Sequence, residues 1–444
     1  MKALCIALGA TIAPFGDAPL DGWFATQTFR ENLHASLSRR GIEWVDVGVD
    51  SKIPDFDDDV VVFADHCFVT DKCLGDFLSL AFGQEQAMRL ALCRTPASEY
   101  ARPASTILVE KLDDSGLGSL PDGVKRTEAE ASERCTYDMW FAPKGRLPTA
   151  STAKELLQAL QGAQRLVVPK KEIGVEVRLP LLGEKERSQM IFPITSTVAC
   201  HLQSWVHILW MNQLAFGIRW NELARAEKLW CTTRLLVAAP WSMPRILKSF
   251  VRKGKNVRVH PTAHVEGSIL GDNVIIGARA SVRNSVLGDG VEIGDHATVI
   301  ASTIGDNAYV TPKTFFVWSA SYPDTVINNY KIQMSLLGRG AATSQWAGLI
   351  DAKFQGAIDI FVDGEKRSTE RAFLGSCIGH GGYIGAKVLM LPGRELPNDA
   401  FVTMRPDELI REIPEEFDAK IPMMRDHGTL IPVDTGTKRL EPST

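Results

Sequence analysis

The chain has 444 residues, of which 45% are hydrophobic and 23% charged, with a formal net charge of −4. That length predicts two or three domains, and the near-balance of charge excludes a global attraction to nucleic acid or anionic membrane. The eight cysteines are scattered, with no CxxC pair and no zinc spacing, so reduced thiols in a cytoplasmic protein are expected.

The opening MKALCIALGATIA has one lysine before an apolar run, the outline of a secretory signal. A buried first strand fits better, because a helical stretch (Gln27–Arg39) and a second strand, WVDVGV, follow at α/β spacing. DVVVFA, AMRLALC and STILVEK read as further strands, and Lys72–Ala81 as a helix. The alternation predicts a mostly parallel sheet covered by helices. Residues 113–150 are polar and rich in Gly, Ser and Pro, the composition of an irregular insertion. Thr152 and Glu155 have capping-box spacing and open a helix through Gln161; LVVP and VEVRLP follow as returning strands.

Between 197 and 250 the character changes. Five of the ten tryptophans fall here: Trp205, Trp210, Trp220, Trp230 and Trp241. TVACHLQSWVHILWMNQLAFGIRW is long enough to raise a membrane span, but His201, Gln203, His207, Asn212 and Gln213 are costly in lipid, which predicts a buried helix instead. The stretch reads as a helical bridge. From Arg245 to Arg258 there are six Lys or Arg and no acid, as suits a solvated connector or a contact with an anion.

Then a phrase repeats. SILGDN begins at Ser268, SVLGDG at Ser285 and STIGDN at Ser302, 17 residues apart both times. In register, Leu270, Leu287 and Ile304 align; six residues on come Ile276, Ile293 and Val310; another six on, Val282 and Val299. A fixed period with an inner 6, 6, 5 pattern predicts three short strands per turn, stacked so that each coil covers the next. The Gly-Asp-Asn corners suit tight bends, because Gly and Asn tolerate positive φ. A second block, Ile378, Ile384, Met390, Leu396 and Val402, keeps the six-residue step. Between the blocks, residues 311–372 break the hexads and read as an excursion on one face. The tail after Pro414 is polar and reads as loosely ordered.

These hexads resemble the hexapeptide-repeat, left-handed parallel β-helix family; the left hand is implied by the resemblance. An α/β domain followed by such a solenoid resembles the sugar-phosphate nucleotidyltransferases, of the bifunctional N-acetylglucosamine-1-phosphate uridyltransferase and glucose-1-phosphate adenylyltransferase type. The resemblance implies four regions: a nucleotidyltransferase-like, Rossmann-like α/β domain over 1–196; a helical linker over 197–255; a β-helix over 256–412 with an insertion at about 311–372; and a tail over 413–444. The fold class expected is therefore α/β plus β-solenoid.

In that family a Gly-rich loop with an Arg follows strand one, and an acidic residue at a strand end holds Mg²⁺. Here Gly9 and Gly16 stand in LGATIAPFGDAPLDGWF, but no Arg or Lys occurs between Lys2 and Arg30. Asp65, after the strand VVVFA, resembles the metal-holding acid; it either holds Mg²⁺ or caps the following turn. Lys170 and Lys171 follow a strand and are candidates for a phosphate contact. In DGEKRSTERAFLGSCIGHGGYIGA, Asp363, Gly364 and Lys366 resemble a family loop that helps bind acetyl-coenzyme A and the acceptor sugar. His380, at the start of a hexad, is the candidate general base of an acyltransferase. His260, His264 and His296 lack the spacing of a zinc set.

The resemblance implies a transferase-family protein of sugar-nucleotide metabolism whose nucleotidyl site is degenerate, binding a sugar phosphate or nucleotide sugar with Mg²⁺. Two alternatives stand beside it: an acyltransferase using acyl-CoA from the β-helix, and a non-catalytic sugar-nucleotide-binding scaffold or sensor. No nucleic acid and no membrane span are expected, and self-association through the β-helix is.

Overall fold

The computed structural model describes residues 1–93, 134–169, 173–178, 189–239, 241–353, 355–362, 364–369, 371–410, 413, 423–427 and 429–433. The N-terminal part is built on a six-stranded sheet. Its strands are β1 (Lys2–Ala7), β2 (Glu43–Gly48), β3 (Val60–Ala64), β5 (Met88–Cys93), β6 (Arg134–Ala142) and β7 (Gln164–Val168), with β4 (Cys67–Val69) lying outside it. The order across the sheet is β2-β1-β3-β6-β5-β7. β1 pairs in parallel with β2 and β3, and β5 with β7, whereas β6 runs antiparallel to both its neighbours. The sheet is thus mixed and Rossmann-like.

Helices α1 (Phe29–Ser38), α2 (Asp71–Ala81) and α3 (Ala153–Leu160) cover it. Thr28 caps α1 in a capping box with Glu31, and Thr152 caps α3 by accepting the Glu155 N–H at 3.3 Å. Asp71 opens α2 and takes hydrogen bonds from Arg39 (2.9 Å) and Arg40 (2.6 Å), just beyond the last turn of α1.

Strand β6 corrects the reading of 113–150 as an irregular insertion. Residues 134–142 are a central strand in which Cys135, Tyr137, Met139, Trp140 and Phe141 are buried. Arg134 and Asp138 interrupt its apolar letters, and Asp138 is paid for by partners from distant segments, which a local reading does not see. The STILVEK strand, Lys170, Lys171 and Asp363 lie outside the described residues.

Helix α4 (Trp205–Ala226) is the hinge of the architecture. It is buried on nearly every side over its first half, so its apolar letters have no solvent-facing stripe. Two of its polar residues reach neighbours on opposite sides. Asn212 accepts the Ala25 N–H at 2.9 Å and donates to the Trp23 carbonyl at 2.7 Å, tying α4 to the N-terminal domain. Gln213 donates to the Trp318 carbonyl at 2.7 Å, and the Thr303 hydroxyl to the Asn212 carbonyl at 3.0 Å, tying it to the solenoid. Among the described residues no helix is long and apolar enough to cross a membrane. Helices α5 (Lys228–Val237) and α6 (Met243–Ser249) lead into the first coil, where Trp220, Trp230 and Phe250 pack together.

The C-terminal part is a stack of parallel strands consistent with a left-handed β-helix. One face runs in order through Arg252–Lys253, Ile269–Leu270, Val286–Leu287, Thr303–Ile304, Ala320–Ser321, Leu336–Leu337, Cys377–Ile378 and Glu395–Leu396. Leu270, Leu287 and Ile304 pair one above another and are buried, as are Ile276, Ile293 and Val310, and Val282, Val299 and Phe316.

Each letter of the repeated phrase has a task. The serine hydroxyls form a ladder: Ser268 accepts the Ser285 N–H, Ser285 that of Ser302, and Ser302 that of Ser319, each at 3.2 Å. The glycine allows close stacking, because a Cβ on Gly271 would sit 2.6 Å from the backbone of Gly288. The Asp289 carboxylate accepts the Asp272 N–H of the coil before it at 2.7 Å, and Asp306 that of Asp289 at 2.9 Å. The last letter turns the corner with positive φ: Asn273, Gly290 and Asn307.

The solenoid continues through most of the stretch read as an insertion. Strands persist at Phe315–Val317, Val326–Ile327, Ile332–Gln333, Ala342–Thr343 and Gly348–Leu349; the excursion is confined to about 351–374. The hexads are hard to see there because polar Ser321 and Thr343 stand on the ladders and the period slips, Ser321 pairing with Leu337 and Ile327 with Thr343. The excursion itself carries a hairpin, Asp359–Val362 with Glu365–Ser368. In the tail, Met423–Asp426 and Thr429–Pro432 pair as a second hairpin, where the composition suggested loose order.

Candidate ligand site at the end of the N-terminal sheet

β1 and β3 are adjacent and parallel, and their carboxyl ends carry Leu8-Gly9 and Asp65-His66. Open sheets of this kind bind ligands outside the carboxyl ends of their strands. Gly9 has φ of +74°, a conformation that suits glycine, and a side chain there would meet nothing within 4 Å. Asp65 is buried, and its Oδ2 accepts the Leu8 N–H at 3.2 Å while Oδ1 is buried with no hydrogen-bond partner among the described residues. Burial pushes its carboxyl above the usual range, opposed by the Leu8 N–H and by the charges of His66 and Arg30. The structure therefore brings together Gly9 and Asp65. Oδ1 is the oxygen that would face a hard cation such as magnesium, were one bound.

The first cation after Lys2 is Arg30, and it is already committed. Its guanidinium bonds Asp21 at 2.7 Å and Asp46 at 3.2 Å and lies over the Trp44 ring. Arg30, whose charge reaches Asp65, is thus already paired with Asp21 and Asp46.

Beside Asp65 stands a group that the sequence reading missed. His66 Nε2 lies 3.1 Å from Oδ2 of Asp138 on β6, and His201 Nε2 lies 3.8 Å from the same oxygen. His201 ends β10 (Ala199–His201), which follows the hairpin strands β8 (Ile173–Arg178) and β9 (Gln189–Ile194) and pairs antiparallel with β4. The Asp138 N–H donates to His201 Nε2 at 2.9 Å. Arg89, from β5, donates to the other carboxylate oxygen at 2.6 Å and to the Tyr137 carbonyl at 3.2 Å, and rests over the Trp140 ring. Burial alone would raise the Asp138 carboxyl; the His66 hydrogen bond and the charges of His201, His66 and Arg89 outweigh it and hold the group well below the usual range. His66 and His201 are 66 and 201 in sequence, and no local spacing joins them to Asp138; only β4, β6 and β10 lying side by side does.

The remaining candidates sit elsewhere. His380 is at a coil corner, where its Nδ1 accepts the Arg339 N–H at 2.8 Å and its Nε2 faces Asp17 Oδ2 at 3.0 Å. It packs against Phe15 and Tyr322, and Asn398 donates to the Phe15 carbonyl at 2.7 Å. Both imidazole nitrogens are thus engaged, Nδ1 within the solenoid and Nε2 in docking the loop after β1 onto it. Gly364 turns the excursion's hairpin with φ of +78°, and Lys366 pairs with Asp359 at 3.0 Å with most of its side chain exposed. His380 and Lys366 are not in contact. His260 and His264 bond Thr262 and Glu266, and His296 turns a corner with positive φ. The basic run reaches a cleft of about 450 Å³ at the head of the solenoid, lined by Trp230, Arg234, Lys248, Arg252 and Lys253.

Residues 244–317 match a family model described as GlmU-like, C-terminal hexapeptide. The match covers α6 and the first coils, and together with the stacked parallel strands it establishes a hexapeptide-repeat β-helix. No curated protein matches the chain. The affiliation supported is with the sugar nucleotidyltransferase and acyltransferase group at its broadest.

Proposed function

We propose that the protein acts in sugar-nucleotide metabolism, binding a sugar phosphate or nucleotide sugar at the carboxyl ends of β1 and β3, and that it does not transfer nucleotides efficiently. The observation that carries this reading is Asp65. It is a buried acid with one unpaired oxygen at a strand end, beside a positive-φ glycine, in a chain whose solenoid matches a hexapeptide model. Mg²⁺ bound at Asp65 would offset phosphate charge. Leu8 N–H would orient the carboxylate, and Gly9 would let backbone approach the ligand closely.

Efficient nucleotidyl transfer needs more. A nucleoside triphosphate brings about four negative charges, and removing one preorganised stabiliser of a developing charge typically costs about 3 to 4 kcal/mol. Arg30, held by Asp21 and Asp46, is not free to supply that stabilisation. The acyltransferase reading draws no support from His380, since neither of its nitrogens is free to take a proton from an acceptor.

Two measurements test this. A thermal-shift screen of nucleotides, sugar nucleotides and acyl-CoA should show stabilisation by a sugar nucleotide with Mg²⁺, reduced in Asp65→Asn. Pyrophosphate release from the four common nucleoside triphosphates with a panel of sugar 1-phosphates should stay far below about one turnover per second, the low end for enzymes. Turnover at that rate, or stabilisation by acyl-CoA alone, would overturn the reading.

A further inference from the structure

The structure assigns a second metal site, distinct from Asp65: we infer that His66, Asp138 and His201 bind a borderline divalent transition ion of the zinc or iron(II) class. The inference does not depend on the proposed function.

Three observations carry it. First, one ligand atom from each residue falls within 4.8 Å of the other two, a spacing found only for this group of three among the described residues. Metal–nitrogen and metal–oxygen bonds of about 2.0 to 2.2 Å span such a triangle with little movement. Second, the ligand chemistry is specific. Two imidazoles and one carboxylate make the donor set of zinc and non-haem iron sites, whereas Mg²⁺ and Ca²⁺ take oxygen throughout. His201 Nε2 accepts the Asp138 N–H and so carries no proton; ligation would exchange that hydrogen bond for the metal.

Third, the group has the supporting shell such sites require. Arg89 fixes the Asp138 carboxylate through Oδ1 and leaves Oδ2 directed at both histidines. The Leu202 N–H donates to the His66 carbonyl at 2.7 Å, and the His66 and His201 rings meet edge to face with centroids 4.8 Å apart. Tyr137 stacks edge-on against His201.

The purely structural alternative is an ion pair of Asp138 with Arg89 that the histidines merely screen. Arg89 alone would satisfy that need. The Asp138 N–H accounts for the place of His201, but Arg89 does not account for His66 on the second oxygen at 3.1 Å. Asp138 keeps 20% side-chain exposure, and His66 and His201 about half that or less, so the group is lined for ligation yet open on one side. Nearby thiols are a competing donor set, but Cys67 and Cys200 are wholly buried, and the Cys200 thiol donates to the His201 carbonyl at 3.6 Å.

The test uses the full-length protein. Equilibrium dialysis with Co²⁺ or Zn²⁺, followed by elemental analysis, should return one ion per chain. The Co²⁺ form should show visible d–d absorption without an intense near-ultraviolet thiolate charge-transfer band. His66→Gln and His201→Ala should each weaken binding by more than about a hundredfold, beyond what loss of a supporting residue causes. Cys67→Ser and Cys200→Ser should leave it unchanged. The wild-type spectrum needs no variant, so misfolding of a mutant cannot hide the answer. The assignment is overturned by a wild type that retains no ion, by a thiolate band, or by binding that survives both histidine changes. Asp65→Asn, which tests nucleotide binding, should leave the cobalt spectrum intact, so failure of one reading is separable from failure of the other.

Discussion

The solenoid and the N-terminal sheet solve the same problem, satisfying buried polar groups, in opposite ways. In the solenoid the partner of each group is its own copy one coil away: serine on serine, and each aspartate on the N–H of the aspartate in the coil before it. In the sheet the partners come from far along the chain, as Asp138 takes Arg89, His66 and His201. A repeated local rule gives a stack that tolerates drift in period, whereas a convergent site rests on a few irreplaceable pairs. The helix α4 stands between the two, with Asn212 and Gln213 reaching to opposite sides.

The sharpest break of this contrast is Leu287→Asp. Leu287 is fully buried between Leu270 and Ile304, and an unpaired carboxylate there is expected to cost about 5 kcal/mol or more. Chemical denaturation should show the loss, and a curve matching the wild type would contradict the coil register. Next comes Asn212→Ala, which strands the Ala25 N–H and the Trp23 carbonyl in the buried interface. A loss of about 3 kcal/mol is expected, because each unsatisfied group costs about 1 to 3. An effect under about 0.5 kcal/mol would mean that α4 does not clamp the two parts.

A smaller effect is expected from acid. Burial would raise the Asp71 carboxyl, but the hydrogen bonds of Arg40 and Arg39 outweigh it and bring its pKa down to about 2. A group lowered on folding stabilises above its unfolded value, about 4, and its contribution is lost as pH falls through about 2. Asp71→Asn should therefore lower stability by a near-constant amount above about pH 4 and flatten the acid limb between about pH 4 and pH 2, where variant and wild type converge; an unchanged limb would rule out the Asp71 knot as its source. The smallest change is His380→Ala, which removes the contact with Asp17 and the acceptor for the Arg339 N–H. About 1 kcal/mol should be lost, with earlier proteolysis in the loop carrying Phe15 and Asp17 as the readout of undocking.

How much was legible follows the same line. The strands β1, β2, β3 and β5, the helices around them and the register of the first coils could be read from periodicity. The ladder beyond Val310 could not, because Ser321 and Thr343 take core positions and successive coils shorten. Strand β6 could not either, since Asp138 looks like a surface residue until Arg89 and two histidines are placed around it. Asp65 could be singled out by its strand-end position and Gly9 by the family resemblance; His66, adjacent to Asp65, gave no signal because its partners lie 72 and 135 residues away in sequence.

By itself, then, the sequence determined the β-helix: a period of 17 residues with Ser, Leu, Gly, Asp and Asn in fixed places encodes contacts between copies of one short phrase. It also determined that no Lys or Arg stands between Lys2 and Arg30. Only the tertiary structure decided that Arg30 is neutralised by Asp21 and Asp46, that His380 is a docking residue, and that His66, Asp138 and His201 converge. The physical reason is distance along the chain. Neighbour-on-neighbour packing repeats and can be counted in letters, whereas a site assembled from β4, β6 and β10 exists only once the sheet has brought those strands together.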